Sequence, residues 1–369
     1  MTNHDRAPAI LAIDLDAVVA NWRLIKARAP GAEAAAVVKA DGYGLGAARV
    51  AKALARAGCR SFFVATIDEG IALRKVLPEQ ALYVLCGPLP GAGMDLVAHR
   101  LVPVLNSLEQ IGLWLGLGRA TGEALPAILH IDTGMNRLGL DAAAVAHLAA
   151  EPALLEGLSV PLVMSHMACA DEPGHAMNRA QLDAFNALAG RLGLAAPRSL
   201  AASSTVFLGA DYHFDMVRPG AALYGVNPVP GQPNPMAPVA RLEAKILQVR
   251  DVDTPQTVGY GATHHVAAKG RIATVAAGYA DGLFRSLGNR GFGVIEGVRV
   301  PVVGRISMDL TTFDVSGLAP DVARPGAVIE LLGPDHTVDD LALEAGTIGY
   351  EVLTALGARY HRVYAGGAR

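Results

Sequence analysis

Cysteine is scarce. The 369 residues hold three, Cys59, Cys86 and Cys169. Their odd number and wide spacing give neither a disulfide framework nor a thiolate metal site, which suggests reduced thiols in a cytoplasmic protein. An excess of either charge is also missing: 31 Lys and Arg face 34 Asp and Glu, a net charge of −3. That leaves no basic footprint for a nucleic-acid partner. No run of about 18 apolar residues suggests a membrane span. The opening stretch MTNHDRAPAILAIDLDAVVANW carries charges through its apolar part and makes a poor signal peptide. What is abundant is hydrophobic residue, 52% against 18% charged, enough to bury a large core and to exclude disorder.

Short apolar runs rich in Val, Ile and Leu recur with amphipathic stretches between them. Strands are predicted near 34–39, 62–66, 81–86, 101–105, 126–132, 160–166, 199–204 and 215–219, and helices at 46–57, 68–76, 107–117, 141–150 and 175–192. Continuous apolar strands without strict alternation fit a sheet buried on both faces. Eight of them alternating with helices imply parallel βαβ units and a (β/α)8 TIM barrel over residues 1–232. After the Pro/Gly-rich stretch GQPNPMAP (231–238), runs such as RLEAKILQVRDV, RIATVAAGYA and FGVIEGVRVPVVGRISMDLTTFDV are broken by Gly, Asn and Asp. Residues 233–369 therefore read as a mostly β domain with one helix at 338–345, and the extreme N-terminal strand is free to pair with it.

A TIM barrel carries its chemistry at the C-terminal ends of its strands. Lys39 ends the first run, His130 and Asp132 the fifth, His166 the sixth, Ser203 and Ser204 the seventh, and Arg218 the eighth. Taken singly, each has an ordinary reading. A strand-end lysine can be solvated, a lone histidine can be a satisfied core residue, SST (203–205) can cap a helix, and RPG (218–220) and Asp132 can form turns. Five such residues on different strands instead imply a shared pocket.

The theme of that pocket is lysine chemistry. In AVVKADGYGLG (36–46) an ammonium group ends an apolar run, whereas Lys26, Lys52, Lys75, Lys245 and Lys269 sit in helical or surface-type contexts. A lysine can form a Schiff base with an aldehyde, and pyridoxal 5'-phosphate (PLP) is the common aldehyde cofactor. Its phosphate needs donors, for which Ser204 and the Gly220 and Ala221 amides are candidates. Arg218 could meet its pyridine nitrogen.

AVVKADGYGLG resembles the PLP-lysine signature of the alanine racemases. The likeness continues through HIDTGMNRLG (130–139), MSHMACADEP (164–173), DMVRPGAALYG (215–225), GYGATH (259–264), AAGYADG (276–282), VVGRISMDL (302–310) and GYEVLTALGARYHRVY (349–364), in order and over nearly the whole chain. The resemblance implies a barrel plus a β domain in a homodimer with active sites shared between subunits, PLP as cofactor, a small amino-acid substrate and no metal. Carried over by motif, Lys39 and Tyr260 are the two acid–base residues. Tyr43, Ser204, Gly220, Ala221 and Tyr350 resemble the phosphate-binding set. Arg218 resembles the arginine at the pyridine nitrogen, with His166 beside it and hydrogen-bonded onward to it. Arg137 and the Met308 amide resemble the carboxylate-binding groups, and Tyr279, Asp171 and Arg285 line the approach to the site.

Two positions depart from the family pattern. Many members carry, where His130 stands, a lysine that is carbamylated to hold the arginine; histidine cannot form that carbamate, so Arg137 must be held otherwise. Leu310 stands where glutamine is common. The implied activity is racemisation of alanine by a two-base mechanism, supplying D-alanine for peptidoglycan. A broader amino-acid racemase or a related barrel decarboxylase is the near alternative, and a single-domain PLP carrier the distant one.

Overall fold

A computed structural model of the chain describes residues 6–367. The parallel strands follow one another in chain order: Glu33–Ala34 continuing as Ala36–Val37, then Ser61–Val64, Ala81–Val84, Val102–Leu105, Ile128–His130, Val163–Met164, Arg198–Ser199 and Met216–Val217. Each pairs with the next, from Ala36 opposite Phe62 to Met164 opposite Ser199. The sheet then closes. The Asp215 and Arg218 amides donate to the carbonyls of Arg198 (3.0 Å) and Ala201 (2.8 Å). The amides of Glu33, Ala35 and Val37 donate to Asp215 (2.8 Å), Val217 (2.9 Å) and Pro219 (2.9 Å). Closure gives every strand a partner on both sides and leaves no edge. This is the expected (β/α)8 barrel, with strands shorter than the apolar runs that announce them.

The continuous burial of Ser61–Val64 shows why these runs lack alternation: one face fills the barrel and the other packs under helices. The helices start where local chemistry lets them. Thr66 and Glu69 form a capping box on Ile67–Arg74, Ser107 caps Leu108–Thr121, and Asp141 caps Ala142–Ala150. Two barrel-side helices, Leu15–Arg28 and Gly93–Ala98, fall outside the predicted set. The first follows the strand Ala9–Asp14 without a break, and its valine-rich start hides the change of period. Only Asp14 marks it, its carboxylate accepting from the Asp16 and Ala17 amides.

The β-rich part is an eight-stranded sheet around the 13-residue strand Ala240–Val252, beside a separate two-stranded pair, Thr257–Val258 and His264–His265. A bulge between Ile246 and Gln248 lets its first half pair with Val328–Leu332 and its second half with Gly270–Val275. The N-terminal strand Ala9–Asp14 inserts between Ala240–Val252, antiparallel, and His361–Ala365, parallel. Beyond the expected helix Val338–Ala345 there is a second one, Gly349–Ala355.

Asn21 on the helix Leu15–Arg28 ties the Pro/Gly-rich stretch to the barrel. Buried, it donates to the carbonyls of Leu223 (3.2 Å) and Ala237 (2.9 Å) and accepts from the Ala237 amide (2.7 Å). Asn21→Leu keeps the volume but strands three backbone groups. The expected loss is about 2–5 kcal/mol of unfolding free energy, read from urea denaturation. A loss below about 0.5 kcal/mol would mean that water replaces these bonds at no cost.

Candidate active site

Lys39 opens a short turn, Lys39–Tyr43, in which Ala40, Asp41 and Gly42 all have positive φ (52°, 52° and 63°). Such backbone is costly for residues with a Cβ, and it persists only where the surroundings over-determine it. Here Glu69 accepts from the Ala40 amide (2.7 Å) and, through its other oxygen, from the Ala65 amide (2.7 Å), while Asp41 accepts from the Ala47 amide (2.9 Å). The turn sets Lys39 at the barrel mouth and brings Tyr43 back into the core. Tyr43 stacks on Tyr224 with centroids 4.7 Å apart, and Tyr224 donates to the Val37 carbonyl (3.2 Å). Gly44 is required by a close approach: a Cβ there would overlap the Leu353 carbonyl of the helix Gly349–Ala355. That packing carries Tyr350 to within 6.2 Å of Tyr43, centroid to centroid.

Around these tyrosines lies a set of donors. Gly220 has no room for a side chain, because a Cβ would overlap the Tyr43 hydroxyl. Ser203 accepts from the Gly220 (3.0 Å) and Ala222 (3.2 Å) amides and so braces the loop. Among the described residues the Ala221 N–H has no partner, and the buried Thr205 hydroxyl has none either. Burial raises the phenol of Tyr43 well above its ordinary value; burial also raises that of Tyr350, against a hydrogen bond with Ser204. Both phenols therefore stay protonated and can donate. A tight glycine cradle lined by hydroxyls and a free amide suits a phosphate. Ser203 and Thr205 are the residues here whose roles sequence reasoning missed; the run SST was the signal.

The other half of the pocket is cationic. Arg218 is 3% exposed. Its terminal nitrogens donate to the Ser165 carbonyl (2.6 Å) and to the Ser199 hydroxyl, which itself donates to the Met216 carbonyl (2.6 Å). Burial pushes its pKa down to about 10, and no carboxylate pairs with it among the described residues. The expected hydrogen bond between His166 and Arg218 is not present among the described residues; each terminal nitrogen of Arg218 donates to one of these partners and keeps a second N–H. His166 instead feels Arg218 through space: burial first, then the charge of Arg218, pushes its pKa down to about 3. Its ring is neutral at physiological pH.

Arg137 sits on the exposed loop after Ile128–His130. Asp132 shapes that loop, accepting from the amides of Gly134 (2.9 Å), Met135 (2.9 Å) and Asn136 (3.0 Å). Among the described residues the Arg137 guanidinium has no hydrogen-bond partner, yet its charge reaches Lys39, His130 and His166. The Lys39 ammonium is held below its ordinary pKa by burial, then by Arg137, against an opposing pull from Glu69. Nucleophilic amine is thus available at lower pH than on a surface lysine. This arrangement can bind an aldehyde covalently, a phosphate at one end and further anionic groups at the other, which fits PLP and a carboxylate substrate.

Tyr260 and Met308 are not part of this assembly within one chain. Tyr260 lies in the turn Tyr260–Ala262, between the paired strands Thr257–Val258 and His264–His265, and is 71% exposed. Met308 is 53% exposed in the turn 307–310, and its N–H has no partner among the described residues. The chain therefore brings together Lys39, Tyr43, Arg137, His166, Ser204, Arg218, Gly220, Ala221 and Tyr350, and leaves Tyr260 and Met308 on its surface.

The electrostatics can be tested at Lys39. Removing a neighbouring cation raises a lysine's pKa, so Arg137→Ala should shift upward the pH midpoint for capture of PLP by the cofactor-free protein, followed by visible absorbance. Arg137→Lys should keep the wild-type midpoint. An unmoved midpoint in Arg137→Ala would show that this charge does not act on Lys39.

Comparison with known proteins agrees with this geometry. Residues 13–228 match the family model "Alanine racemase, N-terminal domain" and residues 239–364 match "Alanine racemase, C-terminal domain". The alanine racemase of Rhodospirillum rubrum is 53% identical, with 99% of this chain and 98% of that protein aligned. A protein of Mesorhizobium japonicum named "Alanine racemase, catabolic" is 49% identical, with 98% and 94% aligned. The crystal structure of alanine racemase from Bartonella henselae with covalently bound pyridoxal phosphate superposes with a TM-score of 0.94 at 39% identity, covering 97% of this chain and all of that one. With both family models matched and relatives about half identical along their full length, the chain belongs to the alanine racemase family.

Proposed function

We propose that this protein is a PLP-dependent isomerase that interconverts L-alanine and D-alanine. The observation that carries the reading is the pocket itself: a desolvated lysine, Lys39, between a glycine–hydroxyl cradle and two arginines that no carboxylate neutralises. Lys39 would hold the cofactor. Tyr43, Ser204, Gly220, Ala221 and Tyr350 would bind its phosphate, and Arg218, with His166 beside it, its pyridine nitrogen. When bound, PLP supplies the electron sink that acidifies the α-C–H of the substrate.

The residues of the chain then handle protons and charge. A single base tends to return a proton to the face it came from, so racemisation is served by two bases on opposite faces. Lys39 acts on one face and Tyr260 on the other. The cations near Lys39 favour the phenolate of a tyrosine placed among them. Arg137 and the Met308 N–H receive the substrate carboxylate. Arg218 has donors and no acceptor, so it leaves the pyridine nitrogen unprotonated, which moderates the sink and limits transamination.

Because Tyr260 and Met308 are exposed and are not among the groups whose charge acts on Lys39 in their own chain, the working unit on this reading is a homodimer in which each β part covers the partner's barrel mouth. We divide the chain for this purpose at residues 232 and 233. Among the described residues no helix is long and apolar enough to cross a membrane, and we place the enzyme in the cytoplasm, where its D-alanine would feed peptidoglycan precursors. A match to the C-terminal family model over 239–364 speaks against a single-domain PLP carrier. Assay against a panel of L-amino acids separates an alanine enzyme from one of broader range.

Two single variants test the bases. Lys39→Ala should abolish both the visible absorbance of the bound cofactor and the activity. Tyr260→Phe should keep the absorbance and lose racemisation, with α-proton exchange from D-alanine, which Lys39 serves, suffering less than exchange from L-alanine. Equal residual exchange from both enantiomers would contradict bases on opposite faces.

Mixing the two inactive variants under subunit exchange tests the shared site. Each heterodimer would hold one doubly damaged site and one intact site, so activity should return at up to roughly half per heterodimer. Heterodimers that form and stay inactive would place Lys39 and Tyr260 in the same chain's site.

A further inference from the structure

His130, at the end of the strand Ile128–His130, is 8% exposed, and its Nδ1 lies 2.7 Å from Oδ1 of the buried Asn106. The Asn106 side chain is not free to turn. Its Nδ2 lies 2.9 Å from the Val104 carbonyl and 3.1 Å from the Leu85 carbonyl, and carbonyls only accept. The amide nitrogen must face those two oxygens, so the amide oxygen faces the ring. Gln110 fixes the residue from behind, accepting from the Asn106 amide (2.8 Å) and donating to the Cys86 carbonyl (3.0 Å). An amide oxygen has no proton to give. The neutral His130 ring therefore carries its hydrogen on Nδ1 and its lone pair on Nε2.

The charged groups around this ring are Arg218, Asp132 and Arg137, and His166 lies close by. The Asp132 carboxylate is occupied by three loop amides. Each terminal nitrogen of Arg218 already donates once, to Ser165 or to Ser199, and so that guanidinium is held on the barrel wall. Only the Arg137 guanidinium, with five N–H donors, has no hydrogen-bond partner among the described residues.

We propose that His130, its tautomer set by Asn106, is a positioning residue that accepts a hydrogen bond from Arg137 on Nε2 and aims that guanidinium at the substrate carboxylate, in place of any carbamate. The proposal rests on the reading of Arg137 as the carboxylate-binding residue. It has a chemical consequence. A neutral acceptor orients the arginine without cancelling its charge, and arginine does not give up its proton. The full positive charge stays available to the ligand.

The test begins with the holoenzyme labelled with isotopic nitrogen in histidine. Nuclear magnetic resonance should show the His130 ring, assigned by its disappearance in His130→Gln, protonated at Nδ1 and bare at Nε2, and Asn106→Leu should remove that bias. Binding of propionate, alanine without its amine, is then measured by calorimetry. His130→Leu should weaken it about tenfold, the loss of one hydrogen bond's worth of orientation, with KM for alanine rising in parallel and kcat changing less. His130→Gln, which can offer its side-chain oxygen to Arg137, should recover most of the affinity. Removing dissolved carbon dioxide should change nothing in the wild type. An Nε2–H tautomer in the holoenzyme, wild-type propionate affinity in His130→Leu, or a requirement for bicarbonate would each overturn the proposal. If the wild type binds propionate as expected yet does not racemise alanine, the functional reading fails while the role of His130 stands.

Discussion

The structure is organised around cations that form no salt bridge among the described residues, with Glu69 pulling on Lys39 only through space. Arg218 is buried, Arg137 has no hydrogen-bond partner among the described residues, and Lys39 is half-buried within reach of the charge of Arg137. The two carboxylates nearest the mouth, Glu69 and Asp132, are already used by backbone amides. Taking a cation out of water without pairing it costs several kcal/mol. The surrounding fold must therefore hold these groups in place against their tendency to escape. The closed barrel does this for Arg218, whose donors end on Ser165 and Ser199 of two adjoining strands. The left-handed turn does it for Lys39.

This arrangement lets the stability of the apo-protein and the affinity for anions be two sides of one term. A phosphate, a pyridine nitrogen or a carboxylate entering the pocket finds donors that are already oriented, so little side-chain freedom is lost on binding. The two histidines at the mouth contribute by being neutral. Burial and the neighbouring cations push His130 down to about 4 and His166 to about 3, so neither adds to the repulsion. Their polarity is available for orientation without a charge.

Much of this was legible in the sequence because barrel topology converts strand ends into a list of pocket residues. Lys39, His130, His166, Ser204 and Arg218 each end an apolar run, and the barrel closes them into one mouth. Asn106 obeys the same rule, standing directly after LVPVL, yet an asparagine after a strand also reads as a turn residue, and nothing local distinguishes the two. The brace made by Ser203, the overlap that forbids a side chain at Gly44 and the bond of Asn21 to residue 237 join positions 17 to about 300 residues apart; periodicity carries no trace of such pairs. The expected hydrogen bond between His166 and Arg218 failed for a related reason. The acceptors that orient Arg218, a backbone carbonyl and the hydroxyl of Ser199, were invisible without the sheet register.

The position of Tyr260 follows from a packing choice made elsewhere. The helix Gly349–Ala355 lies against Gly44 and delivers Tyr350 to the tyrosine cluster, and Arg362 on the last strand donates to the Gly44 carbonyl. On the proposed reading, these contacts complete the phosphate end of the pocket from within the chain. They also fix the β-rich sheet relative to the barrel, through strands that include both Ala9–Asp14 and His361–Ala365. With the sheet so fixed, Tyr260 and Met308 remain exposed, outside the groups that surround Lys39. If Tyr260 is the second base, the contact that secures the cofactor end in one chain thus leaves that chain short of it. On the reading proposed above, a two-fold axis resolves the conflict: each subunit keeps the rigid half of its own site and receives the opposite face from its partner.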